Sequence, residues 1–385
     1  MNMNRIHKPI RVLNLFTIMD RAGAETMAMN YYRKIDRTKV QFDFMVHRSQ
    51  KGEYDDEIES MGGKIYHMPP IYPHNFCNYK KLLKQFFNEH DEYKIIHSNM
   101  SELGYFAFKE ASKHGKKTLI CHAHNAPKGF DLKLIMRTYF KYRIKKYTTD
   151  MFVCGQKSGD WLFGKKNRDK FVMMNNAIDC NKFTYDDNIA KKKRRELSIS
   201  EDTFVVGHVG RLTKQKNHKF LFKVFKEILN INSNSILLLI GKGELQDELK
   251  KYAEELGIKD KIKFCGSRTD VNEIFMIMNA FVFPSLFEGL GIVVIEAQAT
   301  GLPCYVADTI PTEAIKTDLV KCIPLKDSPK KWAAIIMNSH VNNQRIGYAT
   351  RIEKSGFDIC KNAKWLEEFY INEYKKNTNN IYSGI

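Results

Sequence analysis

The chain has 385 residues, 43% hydrophobic and 28% charged, which excludes a disordered or fibrous chain and leaves room for two or three domains. Its 62 Lys and Arg against 44 Asp and Glu give a formal charge of +18, pointing to anionic partners: nucleic acid, an acidic membrane surface or phosphorylated substrates. No apolar run approaches the roughly 18 residues of a membrane-spanning helix, and the basic N-terminus precedes too short an apolar stretch for a signal peptide, so a cytoplasmic location is expected. The eight cysteines include no C-x-x-C pair, so neither a disulfide framework nor a zinc site is indicated, and reduced, mostly buried thiols are expected.

A strand at 11–17, a turn at 20–23 and a helix at 25–35 open the chain as a βα unit. Strands follow at 42–46, 65–68, 94–97, 118–122 and 151–154, with helices around 54–61, 79–88, 103–114 and 132–147. That alternation predicts a doubly wound, largely parallel α/β sheet. The pattern lapses between 176 and 203 and resumes with strands at 204–210, 235–240, 261–265, 280–284, 303–307 and 321–325. The reading is two Rossmann-like halves, 1–180 and 181–357. A last helix over 358–376, with Trp365, Leu366, Phe369 and Tyr370 at helical spacing, is expected to pack back on the first half, and 377–385 to form a flexible tail.

Ligands of such folds lie beyond the carboxyl ends of the strands, so the strand-to-helix junctions carry the chemistry. After the strand at 204–210, a glycine turn presents Arg211 and Lys216, two cations that can clamp a diphosphate or simply form a solvated basic loop. Gly241 and Gly243 follow the next strand, where glycines allow backbone to approach a ligand. The segment Ser285-Leu286-Phe287-Glu288-Gly289-Leu290-Gly291 then leads into a helix from Ile292 to about Thr300. Glu288 and Glu296 would stand roughly 12 Å apart if helix ran throughout. Two carboxylates accepting from separate hydroxyls suit a ligand with a sugar at each end of a diphosphate, a nucleotide sugar. The alternative is a helix-dipole residue and a surface carboxylate, which fits Glu296 poorly because Val293, Val294, Ile295 and Ala297 surround it.

Taken in order, Gly210-Arg211, Lys216, Gly241-x-Gly243 and Glu288 spaced to Glu296 resemble the retaining glycosyltransferases of family 4, with segments 20–33, 207–218 and 308–325 most like the capsule and exopolysaccharide enzymes. The resemblance covers nearly the whole chain and implies a GT-B fold, two Rossmann-like domains facing a central cleft. It implies that Arg211 and Lys216 hold the diphosphate and stabilise the departing nucleotide, and that Glu288 with the amides of Gly289, Leu290 and Gly291 holds the donor sugar. It gives Glu296 the ribose, and the strand end at Lys263 and Phe264 the nucleobase. Ala22-Gly23-Ala24-Glu25 matches the family's glycine-rich loop, with Gly23 facing the donor and Ala22 departing from a customary glycine, a restriction on backbone angles there. His122-Ala123-His124-Asn125 matches the inter-domain histidine, taken as His124. The alternatives for these histidines are a structural role or a metal pair on one strand face, which lacks a third ligand nearby in sequence.

The resemblance thus implies transfer from a UDP-sugar to a growing, lipid-linked glycan, with retention. No D-x-D occurs, so no cofactor and no metal are expected beyond the co-substrate. Six cations between 131 and 150, with Leu132, Ile135, Met136, Tyr139 and Phe140 at helical spacing, suit either an anionic inner-membrane surface or an ordinary amphipathic helix. A sugar-nucleotide epimerase of the same fold would instead need acid and base groups, and a nucleic-acid-binding protein would leave the glutamate spacing unused.

Overall fold

A computed structural model describes residues 8–124, 132–339 and 345–379. The chain divides into two compact units, Met1–Ala177 with Ile359–Ile385, and Ile178–Asp358. Among the described residues, the first unit holds β1 (Ile10–Phe16), β2 (Val40–Val46), β3 (Ile65–His67), β4 (Ile95–Ser98), β5 (Thr118–Ala123), β6 (Asp150–Val153) and β7 (Phe171–Met173). They form one parallel sheet in the order β3-β2-β1-β4-β5-β6-β7. The second unit holds β8 (Phe204–Val209), β9 (Ser235–Ile240), β10 (Ile262–Gly266), β11 (Ala280–Phe283), β12 (Cys304–Ala307) and β13 (Val320–Ile323). These too are parallel, in the order β10-β9-β8-β11-β12-β13.

Central strands such as β1 and β9 are mostly apolar and largely buried because helices cover both faces of a parallel sheet; Arg11 and Asn14 in β1 and Ser235 in β9 are the exceptions. Each sheet reverses its winding beside its first strand, between β1 and β4 and between β8 and β11, and these are the switch points where ligands bind in doubly wound sheets. The last helix, Ile359–Asn379, belongs to the first unit and packs along the helix Gly23–Lys34 with Leu366 and Tyr370 fully buried. Glu367 pins it by accepting from the Asp36 amide at 2.9 Å and from Lys39 Nζ at 3.1 Å.

Four elements depart from the sequence reading. A helix at Gln156–Phe163 and the edge strand β7 had not been expected. The lapse between 176 and 203 contains a helix, Asp187–Glu196, whose N-terminus is capped by Asp186 accepting from the amides of Asn188 and Ile189 at 2.8 and 3.1 Å. Its run of cations hides a narrow apolar stripe, and one of them, Lys193, is buried and held by Glu196, Asp270 and Glu273 at 2.7–2.8 Å. The final helix continues to Asn379, into the segment expected to be a tail; residues 380–385 lie outside the described residues.

Candidate active site

The second unit brings its candidate residues together by fastening one loop to another. The turn after β8 is tied to the loop after β11: the Leu286 amide donates to the Gln215 carbonyl at 2.8 Å, Gln215 Nε2 donates to the Phe287 carbonyl at 2.8 Å, and Asn217 Nδ2 to the Pro284 carbonyl at 3.2 Å. Asn217 takes a left-handed conformation, φ 57°, which asparagine tolerates better than most residues. These contacts set Lys216 beside Glu288, Nζ to Oε1 at 2.7 Å, with the ammonium 4.6 Å from the centre of the Phe283 ring. Both side chains are largely covered, 15% and 9% exposed. Gln215 and Asn217 lay inside the motif but had been given no role; amide side chains flanking a functional cation were the available signal.

Arg211 is placed differently. Its side chain is 77% exposed and its recorded ionic partner is Glu244 at 3.9 Å, so the described residues do not pre-assemble the two cations into one clamp. Gly241 and Gly243 each lie close against a neighbouring backbone. A Cβ on Gly241, whose φ is +136°, would fall 2.1 Å from the Gly210 carbonyl oxygen, and one on Gly243 would fall 2.4 Å from that of Leu212. The two glycines let the loop after β9 lie against the Arg211 turn, backbone on backbone, and the following helix begins only at Gln246. Lys263 is likewise engaged, donating through Nζ to the Leu197 carbonyl, while Phe264 pairs with Leu239 in the sheet.

Helix begins at Ile292, so Glu288, Gly289 and Leu290 sit in the loop before it and Gly291 caps it at φ 79°. Helical spacing between Glu288 and Glu296 is therefore not realised. The amides of Gly289, Leu290 and Gly291 make no backbone hydrogen bond among the described residues, leaving donors at a helix start. Glu296 lies on the second turn of this helix, half-buried, and its carboxylate has no hydrogen-bond or ionic partner among the described residues. Burial pushes its carboxyl up to about 7, because no donor or cation offsets the loss of water around the charged form.

In the first unit, the turn after β1 leaves Gly23 exposed at the start of its helix, with open space where a Cβ would stand. Ala22 is extended, φ −109° and ψ 177°, so the departure from glycine costs the loop nothing. His124 follows β5 and is bonded on both ring nitrogens, Nε2 to Asn99 Oδ1 at 2.8 Å and Nδ1 to Cys154 Sγ at 3.1 Å. The chain of contacts continues from Cys154 Sγ to His122 Nε2 at 3.2 Å, from His122 Nδ1 to His97 Nε2 at 3.3 Å, and from His97 Nδ1 to the Tyr370 hydroxyl at 2.6 Å. Burial lowers His124 to about 4 and His97 to about 3, lowers His122 as well, and raises the Cys154 thiol to about 12, so all four are neutral. Asn125, the last residue of that motif, lies outside the described residues. No disulfide joins the cysteines among the described residues, and Cys77, Cys322 and Cys360 are exposed rather than buried.

The basic helix spans Leu132–Ile144 and turns Phe140 and Ile144 inward, while Ile135, Tyr139 and Tyr142 stand 63%, 51% and 66% exposed. Arg137 is not part of its solvated face, since it pairs with the buried carboxylate of Glu102. Among the described residues no helix is long and apolar enough to cross a membrane.

Residues 189–336 match the family described as glycosyl transferases group 1. The putative glycosyltransferase EpsF of Bacillus subtilis (strain 168) is 31% identical over 94% of this chain and 96% of its own length. The UDP-Gal:alpha-D-GlcNAc-diphosphoundecaprenol alpha-1,3-galactosyltransferase of Escherichia coli is 24% identical over 80% of this chain and 81% of its own. Among solved structures, Anabaena HepE in complex with UDP and glucose superposes with a TM-score of 0.73 at 18% identity, covering 94% of this chain and 99% of that one. The full-length likeness to EpsF, and a family match that spans Lys216, Glu288 and Glu296, show that this chain belongs to the group 1 glycosyltransferases, with the GT-B fold of two Rossmann-like domains.

Proposed function

We propose that this glycosyltransferase moves a sugar from a nucleoside-diphosphate donor, a UDP-sugar, to a growing lipid-linked glycan of capsule or exopolysaccharide type, with retention of anomeric configuration. The observation that carries the reading is Glu296: a half-buried carboxylate with no partner among the described residues, on the helix whose leading loop bears Glu288, itself paired with Lys216 from the turn after β8. Ribose hydroxyls would supply the donors that Glu296 lacks, and Glu288 with the free amides of Gly289, Leu290 and Gly291 would receive the donor sugar. Lys216, with Arg211 swinging in from solvent, would neutralise the charge that grows on the departing diphosphate, a task for preorganised electrostatics rather than a side-chain nucleophile. Gly23 would let the donor pass close to the first unit's helix start. His124, with both ring nitrogens engaged, serves in this reading as a fixed neutral group and not as a proton carrier.

The E. coli relative is named for a UDP-sugar donor and a diphosphoundecaprenol-linked acceptor, which supports this choice of donor and acceptor, and the UDP held by HepE supports the nucleotide. For the membrane, the support is the outward row Ile135, Tyr139 and Tyr142 bordered by Lys141, Arg143, Lys145 and Lys146, apolar rings beside cations as at an anionic interface. The test is a calorimetric screen of UDP and nucleotide sugars against the purified chain. A ligand at 100 times its Kd adds about 2.7 kcal/mol to stability, so binding registers as a clear rise in Tm. Transfer to a lipid-linked acceptor, with the product anomer assigned by NMR, completes it. A chain that binds no nucleoside diphosphate, or yields the inverted anomer, overturns the reading.

A further inference from the structure

The ends of β5 and β6 gather a set of donor atoms that the transfer reaction does not use. β5 and β6 pair in register, His122 with Phe152 and Ala123 with Val153, and the Cys154 amide donates to the Ala123 carbonyl at 3.1 Å. His122 and His124 are two residues apart on one face, their rings 4.2 Å apart between centroids, and Cys154 arrives from the adjacent strand to face both. One atom from each, His122 Nε2, His124 Nδ1 and Cys154 Sγ, lies within 4.8 Å of the others. The third ligand that sequence spacing fails to provide thus comes from the neighbouring strand.

We propose that His122 Nε2, His124 Nδ1 and Cys154 Sγ form a binding site for a zinc-type divalent ion, with a fourth position left for water. Two imidazoles and a thiolate suit a borderline-soft cation and not magnesium or manganese, which favour oxygen. With Zn–S near 2.3 Å and Zn–N near 2.0–2.1 Å in a tetrahedron, sulfur and nitrogen ligands stand roughly 3.5 Å apart. The two sulfur-to-nitrogen distances here, 3.1 and 3.2 Å, are within a few tenths of an ångström of that spacing.

An independent feature supports the assignment. Histidines that ligate metal direct their other ring nitrogen to an outer partner that fixes the ring. Both histidines already have one: Asn99 Oδ1 on His124 Nε2 and His97 Nε2 on His122 Nδ1. For His124 the tautomer is already correct, since Asn99 accepts from Nε2–H and leaves Nδ1 as a lone pair. For His122, ligation requires the proton on Nδ1, donated to His97 Nε2, which in turn puts the His97 proton on Nδ1 toward the Tyr370 oxygen. Binding breaks the Cys154 S–H bond, forms the sulfur–metal bond and releases one proton to solvent. Nothing is oxidised or reduced, and the ion takes no part in sugar transfer.

The experiment is equilibrium titration of the full-length chain with Zn²⁺ against a chromogenic chelator, followed by Co²⁺ substitution, with no donor or acceptor present. One ion per chain is expected, with a thiolate-to-cobalt charge-transfer band and the intense visible bands of tetrahedral cobalt. Cys154→Ser should weaken binding at least 10-fold and remove the charge-transfer band, while replacement of the exposed Cys77, Cys322 and Cys360 by serine should leave both intact. A second measurement needs no variant: Zn²⁺ should shield the Cys154 peptide from alkylation in the parent chain, and a chelator should release it. Unchanged alkylation of Cys154, or binding that disappears with the exposed cysteines and survives Cys154→Ser, overturns the proposal. Because no sugar chemistry is read, these outcomes are independent of the transfer reaction.

Discussion

The two sheets are wound alike, yet the side chains at their carboxyl ends are in opposite conditions. In the second unit, Glu296 has no recorded partner, Arg211 reaches into solvent and the amides of 289–291 make no backbone hydrogen bond among the described residues. In the first unit, His124 is bonded at both nitrogens, and the contacts run on through Cys154, His122 and His97 to Tyr370. Unmet polar groups mark the surface that gains most from a ligand, because a bound hydroxyl or phosphate replaces water there. Saturated neutral groups hold a shape. On the proposed reading, the donor would draw most of its binding free energy from the unmet groups of the second unit, whereas the saturated cluster of the first has little to gain from such a ligand.

The sharpest way to break this comparison is at Glu288 and Lys216. Glu288→Gln should lower kcat about 100-fold, as for loss of one preorganised polar contact, and Lys216→Ala and Arg211→Ala should depress kcat more than UDP affinity. Steady-state kinetics beside a UDP titration would show it; parent-like kinetics in folded variants would remove the second unit from the site. Glu288→Gln should also cost some stability, because it leaves the covered Lys216 ammonium, 15% exposed, without its carboxylate.

A next expected effect concerns the first unit's surface. Reversing Lys141, Arg143, Lys145 and Lys146 to Glu should abolish co-sedimentation with anionic vesicles, and raised salt should release the parent, since screening acts beyond a Debye length of about 8 Å. Equal sedimentation of parent and variant would return this helix to plain structure.

Smaller and more diagnostic is Glu296→Gln, for which we expect about a tenfold rise in donor KM with kcat retained, equivalent to about 1.4 kcal/mol of uniform binding. Its pH signature follows from a carboxyl raised from an ordinary 4.5 to about 7. Below the ordinary value both folded and unfolded forms hold the proton. As pH rises through that window the unfolded chain ionises first, so stability falls until about 7 and then stays level. Glu296→Gln should flatten this slope in Tm against pH while weakening the donor. A slope identical to the parent's would mean that Glu296 is not the buried titrating group. The smallest effect is none: turnover should survive EDTA, and its loss with recovery on adding Mn²⁺ would replace the Lys216 and Arg211 model by a metal one.

Sequence periodicity made most of both sheets legible, because buried parallel strands are continuous apolar runs between helices. It missed the helix Asp187–Glu196, where Lys191 to Arg195 masked a stripe only one or two side chains wide, although Asp186 was a readable cap. The positions of Arg211, Lys216, Glu288 and Glu296 could be read from order and spacing. What could not be read was which polar groups satisfy one another. The Lys216–Glu288 pair, the loop tie through Gln215 and the path from Tyr370 to His124 join residues 25 to 273 positions apart, and only the tertiary fold decides them. At Gly241 and Gly243 the need for glycine was legible, but the close approach of the Gly210 and Leu212 backbone was not.

The helix Ile359–Asn379 has a consequence for how the chain is made. It supplies Leu366 and Tyr370 to the core of a unit whose other strands are all encoded before residue 177, whereas the second unit is one uninterrupted stretch, Ile178–Asp358. During vectorial synthesis the second unit can therefore close as soon as its own segment has left the ribosome. The half that is translated first must wait, with Phe42 and His97 lacking their Tyr370 neighbour, until the helix that carries Tyr370 has been made. Truncation before Ile359 would thus damage the half farthest from it in sequence, and a nascent chain stalled there would expose apolar surface from its oldest segment.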